Sequence, residues 1–213
     1  MSLMYYSRMK AILNMLPLLV QSTIPATVVS VYASGLEAKL YQDDLSLRNL
    51  EHYSYSQARS HMVYLHAVFF EKLAEQNPGK LRLVHIFPGL VQGPSFDGPD
   101  NPAWFRFIWK WIVVPVFGRW ILVPAEESGQ RMLSLASPLY PPGGADKSSN
   151  QADAMVGMDG KPGSGAYGLT WNGENNTKPT RYAKMDKSEF SKQVWEHTNK
   201  AFEVIKAGQV FTE

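Results

Sequence analysis

No cysteine occurs among the 213 residues. Disulfides, thiolate nucleophiles and cysteine-ligated metals are therefore excluded, and the chain suits a reducing, cytoplasmic setting. One-sided charge is also lacking: 21 Lys and Arg against 19 Asp and Glu leave a net +2. That balance is too small to argue for nucleic acid or an anionic membrane. The N-terminal MSLMYYSRMKAILNMLPLLVQ mixes basic and apolar residues. It has no uninterrupted apolar core followed by a small-residue cleavage site, so no signal peptide is expected. The five histidines, His52, His61, His66, His85 and His197, do not share a face with a carboxylate at ligand spacing, so no zinc site is expected. No internal repeat is present.

What remains is an ordinary globular composition, 45% apolar and 19% charged. It predicts a single domain spanning 1–213. The central stretch is His52 to Pro94. Two tyrosines open it, and apolar residues recur at Met62, Leu65, Val68, Phe69 and Leu73, which predicts an amphipathic helix over 52–78. Gln76-Asn77-Pro78-Gly79 ends that helix. Leu81 to Phe87 reads as a strand buried on both faces, and Pro88-Gly89 stops it. A helix feeding a two-sided buried strand belongs to an α/β unit with a parallel sheet.

Before this stretch, residues 2–21 predict a helix with Tyr5, Met9, Ile12, Leu13 and Leu16 on one face. Pro17 predicts a kink or an early stop. Ala26 to Tyr32 predicts a buried strand, Ala33-Ser34-Gly35 the turn after it, and 36–51 a polar loop approaching the tyrosine helix. After it, 89–102 reads as a loop. Residues 103–123 hold four tryptophans and three phenylalanines, interrupted by Arg106, Lys110, Pro115 and Arg119. They meet the length of a membrane span and fail its low-charge requirement. Two readings remain open: an interfacial helix making a peripheral membrane contact, and a pair of short helices covering an apolar pocket.

Pro124 to Ser137 predicts a helix with Glu126 and Glu127 favourably placed in its first turn. Residues 141–165, rich in Gly, Ser, Asp and Pro, read as a long mobile loop. Their glycines lack the strand and helix that would make a phosphate loop of them. A short strand over 166–171 and a helix over 186–206 close the chain. The sequon at Asn175 reads as inert without a secretory signal.

Four places together resemble the C-terminal half of a short-chain dehydrogenase/reductase, similar to divergent fungal members. VVSVYASG (28–35) resembles the strand and turn carrying the family's serine. YSYSQA (53–58) resembles its Tyr-Ser-x-Ser-Lys-Ala run. FPGLVQG (87–93) resembles the Pro-Gly bend beside the nicotinamide. PAEESGQRMLSLASPLY (124–140) resembles the helix after the substrate lid. The resemblance implies a Rossmann-like, doubly wound parallel sheet, truncated so that the N-terminal dinucleotide-binding strands are missing.

It also implies NAD or NADP as cofactor, with Pro88, Gly89 and Val91 beside it. Catalysis would fall to Tyr53 or Tyr55 as proton donor, assisted by Ser34. A phenol near its working pKa with fixed donors at the developing oxyanion is suited to carbonyl reduction. The sequence departs from the family where lysine belongs. Tyr53 is followed four residues later by Gln57, and Tyr55 by Arg59, whose rigid fork is not equivalent to an ammonium. The simplest alignment puts Ala33, with Ser34 next to it, at the serine position. No Gly-x-x-x-Gly-x-Gly run is present.

Three functions follow. One is hydride transfer to or from a bulky apolar carbonyl or alcohol, in fungal secondary metabolism, under an aromatic lid at 103–123. The second is a non-catalytic remnant that pairs with a like or unlike subunit through the open edge at strand 26–32. The third is a membrane-associated protein anchored through 103–123.

Overall fold

The computed structural model describes residues 1–94, 96, 98–99, 101–144, 153–178, 182 and 185–212. Its elements run α1 (Ser7–Gln21), β1 (Ala26–Val31), α2 (Tyr55–Gln76), β2 (Leu81–Ile86), β3 (Leu90–Val91), α3 (Ala103–Ile108), α4 (Val114–Ile121), β4 (Leu122–Val123), α5 (Ala125–Ser134), β5 (Ala166–Leu169) and α6 (Lys187–Lys206). Ser2–Tyr6 extends α1 as a π-helical turn. Trp109–Val113 does the same between α3 and α4, so the helix is unbroken from Ala103 to Ile121.

Strands β1, β2 and β5 form a parallel sheet in that spatial order. The fold is α/β with a small parallel sheet, compatible with a Rossmann-like layout. Side chains of β2 alternate between two cores, as the pleat requires. Leu81 and Leu83 join α1, α2 and α6 on one side; Val84 and Ile86 join Tyr167, Leu169 and Leu135 on the other. A second ladder pairs β3 with β4 in parallel, Leu90 opposite Leu122 and Val91 opposite Val123.

Helix α2 is the post around which the chain packs. The Ser54 hydroxyl caps it by accepting the Gln57 N–H at 3.1 Å, which closes a backbone donor the helix cannot satisfy itself. From Ala58 to Ala74 nearly every residue is buried. Phe69 stacks on Trp195 of α6 with ring centroids 4.9 Å apart. Burying side chains of this size stabilises the fold by about 1.5–3 kcal/mol each. Gly79, at φ 73°, turns the chain out of the helix, and its N–H donates to the Gly143 carbonyl at 2.6 Å.

Several expectations change. Pro17 does not stop α1, which continues to Gln21. The tyrosine helix starts at Tyr55 rather than 52, because Ser54 is extended and acts as its cap. Strand β1 is only half-buried, since it lies at the sheet edge and lacks a neighbour on its outer side among the described residues. The loop 89–102 contains β3. The expected loop 141–165 falls in part on 145–152, outside the described residues; its later part holds an antiparallel bridge between Val156 and Pro162. Among the described residues, no helix is long and apolar enough to cross a membrane.

Candidate active site

In open parallel sheets, ligands bind beyond the carboxyl ends of the strands. Three segments leave those ends here: Tyr32 to Gly35 after β1, Phe87 to Gly89 after β2, and Thr170 to Asn172 after β5. The first turn of α2 adds Tyr55 and Arg59 to the β1 end. The Arg59 guanidinium carbon lies 5.8 Å from the ring centroids of both Tyr55 and Tyr32. Arg8, from α1, approaches the Tyr32 ring to 5.4 Å. Burial and the neighbouring Tyr55 hydroxyl push the Tyr32 phenol up to about 12, against the pull of Arg59 and Arg8.

Arg8 donates from Nη1 to Ser30 Oγ and to the Val31 carbonyl, both at 3.2 Å. The Nε atoms of Arg8 and Arg59 are buried without a hydrogen-bond partner. Neither guanidinium meets a carboxylate among the described residues. Two phenols and two unneutralised guanidiniums thus converge at one strand end, a place where an electron-rich oxygen would be stabilised.

Tyr53 lies elsewhere. It precedes the helix and borders an apolar hollow of about 610 Å³ with Tyr6, Leu50, Ile205 and Phe211. Gln57, one turn after it, donates its amide to the Lys39 carbonyl. Ser34 is buried, and its hydroxyl donates to Asn176 Oδ1 at 2.8 Å. Asn176 Nδ2 returns a bond to the Ser34 carbonyl at 2.9 Å. The structure brings Tyr55 and Arg59 together, and holds Tyr53, Gln57 and Ser34 in separate surroundings.

At the second strand end, Pro88 leads into Gly89, which takes φ 73°. A Cβ there would come within 3.1 Å of Trp171 and 3.2 Å of Val123. The close approach explains the glycine, and Val91 beyond it is committed to the β3–β4 ladder. Beneath the site, Ser30 Oγ and His66 Nε2 lie 3.2 Å apart, and His66 stacks on His85 at 4.5 Å. Burial keeps both imidazoles neutral, His66 pushed down to about 3 and His85 well below its usual range. Among the described residues no cluster of His, Asp or Glu could hold a metal ion.

No family model matches the chain, and no solved structure matches it. Curated proteins do. The chain is 32% identical over 209 residues to Short-chain dehydrogenase/reductase SAT2 of Stachybotrys chartarum, covering 96% of this chain and 58% of that one. It is 33% identical over 204 residues to Oxidoreductase AN1596 of Emericella nidulans, covering 92% and 59%. Against Oxidoreductase andH of Emericella variicolor the identity is 29% over 211 residues, covering 94% and 59%. The chain is a homologue of these fungal proteins, one of them named a short-chain dehydrogenase/reductase and two named oxidoreductases. It spans a little under three-fifths of the length of these relatives.

A short-chain dehydrogenase/reductase generally uses NAD or NADP, and the residues described here fit part of such a group. The unpartnered Nε atoms of Arg8 and Arg59 and the phenols beside them suit the oxygen-rich nicotinamide-ribose end. The sequence has no Gly-x-x-x-Gly-x-Gly run to seat a pyrophosphate on a helix N-terminus. The sequence offered Tyr53 with Gln57 and Tyr55 with Arg59 as alternatives, its Ser-x-Ser-x-Ala context favouring Tyr53, and did not point to Tyr32 or Arg8. Arg8 carried a signal: it stands at helical spacing between Tyr5 and Ile12, on the face that turns inward. Tyr32 carried one too, as an aromatic at the last step of a parallel strand.

Proposed function

We propose that the protein is an oxidoreductase of the short-chain dehydrogenase/reductase type, moving a hydride between NAD or NADP and a bulky apolar carbonyl or alcohol. The observation that carries this reading is the convergence of Tyr55, Arg59 and Tyr32 at the carboxyl end of β1. The dinucleotide supplies the hydride when bound. The Tyr55 hydroxyl donates a proton to the substrate oxygen as negative charge builds there. Arg59, one helical turn on, stabilises the phenolate left behind, and Tyr32 donates a second hydrogen bond. An apolar substrate is supported by the aromatic helix that follows the Pro88-Gly89 bend, where Phe96 stacks on Trp109 at 4.2 Å beside Val91, Val114 and Leu122.

The test is titration of the 213-residue chain with NADH and NADPH, followed by fluorescence, with a thermal melt alongside. Saturable binding and a raised melting temperature support the reading. Failure to bind, in a chain that melts cooperatively, removes it.

One set of contacts favours a second reading, a non-catalytic partner subunit. Ser34 and Gln57 are engaged in hydrogen bonds within the fold, and among the described residues β1 presents an edge that another chain could extend. That subunit would bind no cofactor and would assemble in sedimentation.

A further inference from the structure

We propose that the outer face of the helix Ala103–Ile121 docks on an anionic lipid surface. The inner side of this helix is satisfied: Trp109 stacks on Phe96, and Gly118 is buried close to Leu122. The outer side is not. Trp104 is 67% exposed, Phe107 62%, Trp111 63% and Trp120 75%. Trp104, Phe107, Ile108 and Trp111 recur at three- and four-residue spacing, so they form one apolar stripe pointing away from the protein. Several large aromatics in a row on water are an interaction surface rather than scattered exposure.

Charge selects the occupant. Lys110 stands at about a quarter turn from the stripe and Arg106 farther round the helix, each on a side chain long enough to reach back towards it, and Arg119 lies near the helix end. All three are exposed, with no carboxylate partner among the described residues. Between Asn101 and Ala125 there is no Asp or Glu at all. The whole chain carries only +2, yet this helix is cationic throughout. Tryptophan stripes edged by Lys and Arg settle at the headgroup level, rings among the upper acyl chains and cations on the phosphates. Added negative headgroups strengthen such binding. The helix lies flat and does not span, since it is not apolar enough to cross. The docking is independent of turnover, so its test does not depend on the catalytic reading.

The experiment is flotation of the full chain with phosphatidylcholine vesicles, with and without phosphatidylserine, together with tryptophan emission and quenching by brominated lipid. The expected result is flotation with phosphatidylserine vesicles, a blue shift, and quenching. Arg106→Glu with Lys110→Glu should lower the bound fraction about ten-fold or more, with an unchanged melting temperature. Trp104→Ser with Trp111→Ser should abolish the blue shift. Three outcomes overturn the proposal. The chain stays in the soluble fraction with both vesicles. It binds both vesicles equally and is indifferent to the charge reversal. Or it does not float, and sedimentation shows a dimer that the tryptophan variants dissociate, so that the stripe is covered by a second copy.

Discussion

His66 of α2 stacks on His85 of β2 with ring centroids 4.5 Å apart, and neither has any exposed surface. His66 is held by the Met62 carbonyl and by Ser30, whereas both ring nitrogens of His85 lack a partner. Two imidazoles in this position cannot both become cations without separating.

The first prediction concerns acid. Burial depresses His61 to about 4, His66 to about 3 and His85 well below its usual value. The unfolded chain takes up these protons near pH 6.5, and the folded chain does not until it is far more acidic. Stability is therefore complete above pH 6.5 and falls as pH drops from there towards 4. The slope approaches about 1.4 kcal/mol per pH unit for each such histidine. Urea midpoints across this range measure it. His85→Phe should flatten the profile, and an unchanged slope in that variant would contradict the account.

The second prediction separates the two tyrosines. Tyr55→Phe should lower ketone reduction by about 10²–10⁴-fold, the usual range for a lost general acid. Tyr53→Phe should change it little, because Tyr53 borders a different hollow. Arg59→Gln should weaken turnover with a small effect on the melting temperature. If Tyr53→Phe proves the more damaging variant, the Tyr55–Arg59 assignment fails.

The third prediction tests the tie across the sheet end. Asn176 and Ser34 exchange two hydrogen bonds, and the Asn176 N–H also donates to the Gly168 carbonyl at 3.0 Å. Asn176→Ala leaves a buried hydroxyl and a carbonyl unpaired, at a cost of about 1–3 kcal/mol. Ser34→Ala removes one partner of the tie and should cost less. Denaturant midpoints that rank these variants in the opposite order would show that the tie is not structural.

A fourth prediction concerns the Pro-Gly bend. Gly89→Ala meets both a left-handed backbone and the Trp171 side chain. The backbone alone costs about 1–2 kcal/mol. The displaced ring should also leave Arg131, whose guanidinium carbon lies 4.6 Å from its centroid. A lower melting point with a red-shifted tryptophan signal is expected.

Much of the fold was legible because it is periodic. The run Met62, Leu65, Val68, Phe69, Leu73 announced α2, and the β-branched Ala26–Val31 announced β1. Pro17 misled, since a proline inside a helix removes one hydrogen bond but need not end the helix when packing on both sides holds it. Ser54, by capping the helix, sets the true start of α2 at Tyr55 rather than 52. The candidate site was legible only where its residues are neighbours in the chain. Tyr53 with Gln57 and Tyr55 with Arg59 are each one helical turn apart, so local spacing offers both pairs and does not choose between them. Arg8 and Tyr32 reach the same place from different elements, and the Ser34–Asn176 pair spans 142 positions. Only the folded sheet brings these together.

Along α2 the buried stretch begins at Ala58, while Tyr55 and Ser56, in the first turn, stand in solvent. Backbone amides from Met62 to Leu73 should exchange with deuterium only through global unfolding, whereas those near the tip exchange through local fraying. Tyr55, the proposed proton donor, thus sits where replacement is cheapest to the fold. Mutation can retune or silence the tip while the post beneath it stands, so in this architecture a lineage can change its reaction, or abandon it, and keep its shape.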